Sequence, residues 1–307
     1  MGTMRALLHD PDAPGGLRLG DAPDPEPGPG QALVAVDAVS LNLGELAYLA
    51  DRHAPGAVPG WDAAGTVLAA AADGSGPPPG ARVATFGWSG GWATRRAADT
   101  GQLAVVPAAV DVWEAAAVPV AGVTALRSLR ALGPVIGRRV LITGASGGVG
   151  RFAVQLAARA GAHVVAAARD PEGLAGLGAA EVVRELSEVR EPVDAALDHV
   201  GGDVLAQAYA LLSPGGVAQS VGMASQDPTT IDFEAARVRA GGSRIEAFGV
   251  GADGDFGPDV ATLLGLVADG ALDPQVGWRG GWERVEEAAA ALLGRRIRGK
   301  AVLEVTG

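Results

Sequence analysis

Residues 140–150 read VLITGASGGVG, and RFAVQLAARAGA follows directly. A β-branched apolar run breaks into glycines and then into a helix-period pattern, which specifies a strand, a tight turn and a helix start. Gly144, Gly147, Gly148 and Gly150 let the backbone turn sharply, bring amide N–H groups close to a ligand and pack the helix against its strand. The helix N-terminus then faces an anion, most simply the pyrophosphate of a dinucleotide. On this reading Ser146, Gly147, Gly148 and Val149 offer N–H groups to the phosphates. The competing reading is a strand-to-helix turn that binds nothing.

About 20 residues past the glycines, the spacing a dinucleotide fold requires, a second strand, HVVAAA (163–168), ends at Arg169. A carboxylate at that strand end would accept from the adenosine ribose of NAD, whereas Ala168, Arg169 and Asp170 offer a guanidinium to a 2′-phosphate. NADP(H) is therefore favoured over NAD(H), and Asp170 keeps NAD(H) open. Strands and helices alternate from Val140 to about Gly251, the pattern of parallel strands with crossover helices. Val221 and Gly222, and Phe248, Gly249 and Val250, follow strand ends there. They either flank a nicotinamide or are ordinary exits from the sheet.

The first third differs in kind. MRALLH, QALVAVDAVSLN, GWDAAGTVLAAAADG and ARVATFGW are short strands between Pro and Gly turns, with a short helix expected over 43–50 and a barrel-like β domain as the result. Residues 112–132 take up a helical spacing. From Asp259 the tail reads as two helices and a final strand, KAVLEV. A chain of 307 residues exceeds a usual single core. Two domains are expected, one of residues 1–118 with 259–307 and one of residues 119–258.

A net charge of −11 argues against nucleic acid and against an anionic membrane surface, both of which need clustered Lys and Arg. The absence of cysteine excludes disulfides, thiolate zinc sites and cysteine nucleophiles. His9, His53, His163 and His199 share no paired spacing, so no metal is expected. No apolar run reaches the ~18 residues of a membrane span, and Asp10 and Asp12 fall where a signal-peptide core would lie. A soluble cytoplasmic protein is expected.

Seven segments fall in a familiar order: VSLNLGEL (39–46), VPGWDAAGTV (58–67), EAAAVPVAGVTAL (114–126), RVLITGASGGVG (139–150), DHVGG, LLSPGGVAQSVG and RGKAVLEV. In these the chain resembles the medium-chain dehydrogenase/reductase superfamily, in its zinc-independent quinone oxidoreductase branch, over nearly its full length. The resemblance implies an α/β fold class: a Rossmann doubly wound parallel sheet domain plus a GroES-like β-barrel domain. It also implies a homodimer joined through edge strands near residues 244–250. Where zinc-dependent members carry histidine in a G-H-E motif, Gly60, Trp61 and Asp62 place an indole, so a metal-free site is implied. The glycine pattern also fits short-chain reductases, but no Tyr-x-x-x-Lys pair exists: Ser213 follows Tyr209 at that offset, and Arg52 follows Tyr48.

Without a metal, reduction of a plain ketone lacks a Lewis acid. Hydride added to a quinone or an α,β-unsaturated carbonyl gives an anion that delocalises its own charge, so polar donors and a water suffice. The resemblance implies Asn42 beside the nicotinamide or the substrate oxygen, Thr124 near the carboxamide and Lys300 near the cofactor, with Tyr48 a candidate proton donor. Each has an ordinary alternative: a strand-end turn, plain helix packing, a solvated cation and a half-buried helix tyrosine. Trp61, Trp88 and Trp92 are candidates to wall an apolar pocket, or else form the cores of loops. Two other functions stay open: an enoyl or enone reductase or tailoring enzyme of secondary-metabolite (polyketide) biosynthesis, and a redox-neutral or non-catalytic nucleotide-binding homologue.

Overall fold

Alternating inward and outward side chains shape the first part of the chain, which a computed structural model describes over residues 2–306. Its elements are β1 (Thr3–His9), β2 (Leu17–Pro23), β3 (Gln31–Leu41), α1 (Leu43–Ala47), α2 (Leu49–Arg52), β4 (Asp62–Ala69), β5 (Arg82–Phe86), β6 (Arg95–Asp99), β7 (Leu103–Val105) and α3 (Val112–Ala117). Along β3, Ala32, Val34 and Val36 turn inward, and the run from Ala38 to Leu41 is buried on both faces. The next stretch holds α4 (Pro119–Ala131), β8 (Arg139–Thr143), α5 (Gly148–Arg159), β9 (His163–Ala167), β10 (Glu181–Val183), β11 (Val193–Asp198), α6 (Gly202–Ala210), β12 (Leu212–Ser220), α7 (Phe233–Arg239) and β13 (Arg244–Ala247). The chain closes with α8 (Gly257–Ala268), β14 (Val276–Gly281), α9 (Val285–Leu293) and β15 (Lys300–Glu304).

Contacts divide the chain into one unit of residues 1–123 with 254–307 and another of 124–253. The β unit thus includes residues 119–123 and 254–258, which the sequence reading assigned to the α/β domain. The reasons are local: the Val120 N–H donates to Asp62 Oδ1 at 3.0 Å, and Phe256 stacks on Phe86 with ring centroids 3.7 Å apart.

In the β unit the sheet order is β14-β15-β3-β4-β5-β7, with β6 also on β3 and β1-β2 as a separate hairpin. Leu7, Val39, Leu41, Trp92, Trp282 and Leu303 share one core. Gly65 closes the β3–β4 pairing, since a Cβ there would lie 1.9 Å from the Ala35 carbonyl oxygen. The other unit holds a sheet ordered β10-β9-β8-β11-β12-β13, with every pairing parallel. The first strand of this unit, β8, is central, and its neighbours β9 and β11 are reached in opposite directions. Ligands bind at the carboxyl ends of strands at such a switch point. β13 lies at the sheet edge.

Pro119, which lacks an N–H, separates α3 from α4 where one continuous helical stretch was expected. The helix expected over 43–50 divides at Tyr48. Strands β2, β6, β7 and β14 lack a readable period; β14, VGWRGG, is half glycine and gains its place from β15. Among the described residues no helix is long and apolar enough to cross a membrane.

Candidate functional site

The glycine segment forms the turn between β8 and α5. Gly144 adopts φ +59°, Gly147 caps the helix, and α5 starts at Gly148. The Gly147 N–H donates to the Gly144 carbonyl at 3.0 Å. It is therefore used inside the turn and is not offered to a phosphate, which corrects the sequence reading. The amides of Ser146, Gly148 and Val149 remain candidates. A Cβ on Gly150 would lie 2.4 Å from the Gly144 oxygen and 2.7 Å from Ala145 Cα, so the helix sits on its turn at a distance that only glycine permits. Arg151, buried in the next turn, reaches back with Nε to the Ser146 carbonyl at 3.3 Å and with Nη2 to the Glu172 carbonyl at 2.7 Å. The sequence reading missed this brace; its signal was a lone charge in the apolar run after the glycines.

Beside the turn, Asp198 organises the ends of three strands. Its carboxylate accepts from Thr143 Oγ1 at 2.5 Å and from the Gly201 N–H at 2.7 Å. Its carbonyl accepts from Val221 and Gly222 at 2.8 and 3.0 Å. Those two amides therefore hold the strand ends together. Phe248 donates to the Ser220 carbonyl, and the Val250 carbonyl accepts from Arg127 Nη1 at 2.7 Å, so the segment with Gly249 continues along the same edge. His199 Nδ1 bonds the Thr143 carbonyl at 2.8 Å, so it carries the proton, while Nε2 is buried without a partner among the described residues. Burial holds this imidazole below its usual range, and Nε2 is left as a neutral acceptor. A glycine cradle and an unpaired acceptor beside it suit a dinucleotide.

Arg169 is exposed just past β9. The sheet order sets β10 against β9, and Arg184, one residue past β10, donates from Nη1 to the Arg169 carbonyl at 2.7 Å. Two arginines thus occupy adjacent strand ends. Arg184 was missed because β10 has only three residues.

In the β unit, Asn42 ends β3 inside a cluster of buried charge. Its Nδ2 donates to Glu45 Oε2 and to Asp62 Oδ2, both at 2.8 Å, and its Oδ1 accepts from Lys300 Nζ at 2.6 Å. Glu45, Asp62 and Lys300 are 3%, 0% and 2% exposed. Ser40 Oγ also donates to Asp62, and the Trp61 N–H donates to Glu45 Oε1 at 2.5 Å. The Asn42 amide is fully bonded within the protein, and Lys300 is neither solvated nor open to a ligand. Both serve as internal fixtures of the cluster, which corrects the contact roles implied by resemblance. Glu45, which the sequence reading did not single out, joins this cluster through the N-x-x-E spacing.

Tyr48 is half-buried at the end of α1, and Thr124 is buried on α4. Trp61 is nearly buried, and Trp88, 51% exposed, meets its edge at 5.3 Å. Trp92 is no pocket wall: it is 0% exposed within the core, and its Nε1 donates to the Ser40 carbonyl at 3.2 Å.

Burial and the neighbouring Asp62 carboxylate push the Glu45 carboxyl up to about 8. Glu45 thus keeps its proton in the folded chain where the unfolded chain, at 4.5, has lost it. Its contribution to stability is present below that ordinary value and is lost as pH rises through about 8. His199 acts oppositely, because a depressed imidazole contributes above its ordinary 6.5 and loses that contribution as pH falls. Thermal melts from about pH 5 to 9 should show the Glu45→Gln variant losing the alkaline decline and the His199→Asn variant losing the acid one. Parallel profiles for the wild type and either variant would reject that assignment.

No cluster of three or more His, Cys, Asp or Glu suited to a metal exists among the described residues. Residues 148–266 match the zinc-binding dehydrogenase family model, and residues 28–109 match the alcohol dehydrogenase GroES-like domain. A chloroplastic quinone-oxidoreductase from Triphysaria versicolor is 33% identical over 65% of this chain and 65% of its own length. A trans-enoyl reductase from Aspergillus flavipes is 33% identical over 69% of this chain and 64% of its own. The chain therefore spans less than two thirds of either relative. A mycobacterial protein solved in complex with NADPH superposes with a TM-score of 0.88 at 26% identity, over 98% of this chain and 100% of that one. The chain belongs to the medium-chain dehydrogenase/reductase superfamily as a quinone-oxidoreductase-like member, with a GroES-like domain and a Rossmann-type domain.

Proposed function

We propose that this chain is an NADP(H)-dependent oxidoreductase that reduces a quinone or an α,β-unsaturated carbonyl compound. The observation that carries the reading is the β8–α5 turn, where Gly150 admits no Cβ and the helix opens on free amides. The NADPH-bound neighbour supports the choice of nucleotide. Ser146, Gly148 and Val149 hold the pyrophosphate, Arg169 with Arg184 takes the 2′-phosphate, and His199 Nε2 accepts from a ribose hydroxyl. Thr124 and the segments at Val221, Gly222 and 248–250 flank the nicotinamide. The cofactor, when bound, supplies a hydride. On the acceptor side Tyr48 donates a proton to the developing oxyanion, and Trp61 and Trp88 offer apolar surface to a conjugated molecule. The Asn42 cluster holds α1, and with it Tyr48, in place.

The Aspergillus relative favours an enoyl substrate as a second reading within the same chemistry. Titration of NADPH and NADH by fluorescence, followed by NADPH consumption with naphthoquinone, a small enone and an enoyl thioester, tests both. The Arg169→Ala variant should bind NADPH roughly 10- to 100-fold more weakly, the range for a lost charged hydrogen bond, and should lose far less affinity for NADH. Equal wild-type affinity for the two nucleotides would refute the role of Arg169. Binding without consumption on any acceptor would favour a non-reducing homologue.

A further inference from the structure

Across α1, α2 and the start of β4, a cation rests against an aromatic wall. The Arg52 guanidinium lies 5.4 Å from the Trp61 ring centroid and 5.8 Å from that of Tyr48, within the reach of cation–π attraction. Trp88 extends the wall, edge-on to Trp61 and to Phe86 at 5.3 and 4.9 Å. The backbone under it is fixed: the Trp61 N–H donates to Glu45, and the Trp61 carbonyl accepts from buried Arg96 at 2.9 Å. A Cβ on Gly44 would touch the indole at 3.4 Å, so Trp61 lies directly against α1.

Three other arginines of this unit are neutralised. Arg18 pairs with Asp10 at 2.8 Å, Arg95 with Asp24 at 2.5 Å and Arg284 with Glu287 at 2.7 Å. Arg52 is exposed, and among the described residues no carboxylate, including its neighbour Asp51, forms an ion pair with it. His53 adds no second cation at neutral pH, because burial and the charges of His9 and Arg52 hold it below its usual range. A guanidinium attracted to aromatic rings, with no carboxylate on it, keeps N–H groups for an oxyanion. In a chain of net charge −11, an unneutralised arginine beside an aromatic wall is a place for a ligand's negative charge.

We infer that Arg52 forms an oxyanion subsite, and that the natural acceptor is a conjugated carbonyl compound bearing a carboxylate or phosphate. The inference rests on the reading that Tyr48 and Trp61 face the acceptor. Three matched pairs test it: 1,2-naphthoquinone against its 4-sulfonate, dimethyl against monomethyl fumarate, and crotonyl N-acetylcysteamine thioester against crotonyl-CoA. The second pair isolates a carboxylate on the acyl part, and the third isolates the phosphates of a carrier. Two readouts are taken: kcat/KM from NADPH consumption, and quenching of tryptophan fluorescence, which needs no turnover.

The wild type should prefer the anionic member of at least one pair by about tenfold or more. Arg52→Gln should bring that ratio near one, chiefly through KM, and Arg52→Lys should restore part of it. A wild-type ratio near one in all three pairs, or an equal loss on both members in Arg52→Gln, would overturn the subsite. Reduction of neutral acceptors without an Arg52-dependent preference would sink the subsite alone. Arg52-dependent quenching with no NADPH consumption would keep the subsite and sink the reductase reading.

Discussion

Replacing Gly150 with valine should abolish binding of nicotinamide nucleotide, while replacing Gly147 with alanine should reduce affinity by less than about tenfold. The two glycines lie in one motif but meet different surroundings. A Cβ at 150 would overlap backbone at 2.4 and 2.7 Å, and backbone at a turn packed under a helix has nowhere to move. At 147 the nearest atom is the Gly144 oxygen at 3.3 Å, and φ is −78°, which a shift of a few tenths of an ångström relieves. The valine variant should also lose about 1–3 kcal/mol of stability through overpacking. NADPH titration together with chemical denaturation separates the two effects. Full-strength NADPH binding by Gly150→Val would remove the basis of the cofactor assignment.

Lys300→Met should destabilise the chain by about 3–5 kcal/mol, the cost of breaking a buried ion pair from one side. The ammonium donates to Asn42 Oδ1 at 2.6 Å and to the Leu41 carbonyl at 3.3 Å, and it lies 3.5 Å from Asp62 Oδ2. Without it, Asp62 and Glu45 share a dry site with less compensating charge, and the Glu45 carboxyl should rise further. Above about pH 8, where Glu45 is ionised, the same substitution should cost less in a Glu45→Gln background, because one of the two carboxylates is gone. Urea denaturation of the wild type, both single variants and the double variant gives the coupling. A loss under about 1 kcal/mol in Lys300→Met would mean that the cluster does not depend on its cation.

The cofactor turn was legible because its chemistry is mostly backbone, and backbone geometry demands glycine at fixed offsets. That the strands around it run parallel, with crossover helices, followed from alternation, but their order in the sheet came only with the structure. The Asn42 cluster was not legible in the same way: Asn42 and Lys300 are 258 residues apart in sequence, and nothing local to either signals the other. Resemblance marked both residues but assigned them to a ligand, whereas the structure bonds them to each other. Trp88 and Trp92 sit four positions apart among glycines with similar local sequence. Only packing separates them, since one lies half in solvent and the other fills the core beside Leu7 and Leu303. Residues 119–123 and 254–258 show the same limit, because what claims them is a carboxylate at Asp62 and a ring at Phe86.

The pairing of β15 with β3 sets an order of events for the nascent chain. The parallel sheet is a continuous stretch of sequence, 124–253, and all its strands exist before the closing strand of the β unit is made. Until Ala301 meets Leu41, Asp62 and Glu45 have no ammonium beside them, and a newly made β3 carries an unsatisfied edge. The ammonium that neutralises this interior can therefore arrive only after the whole parallel sheet has been made.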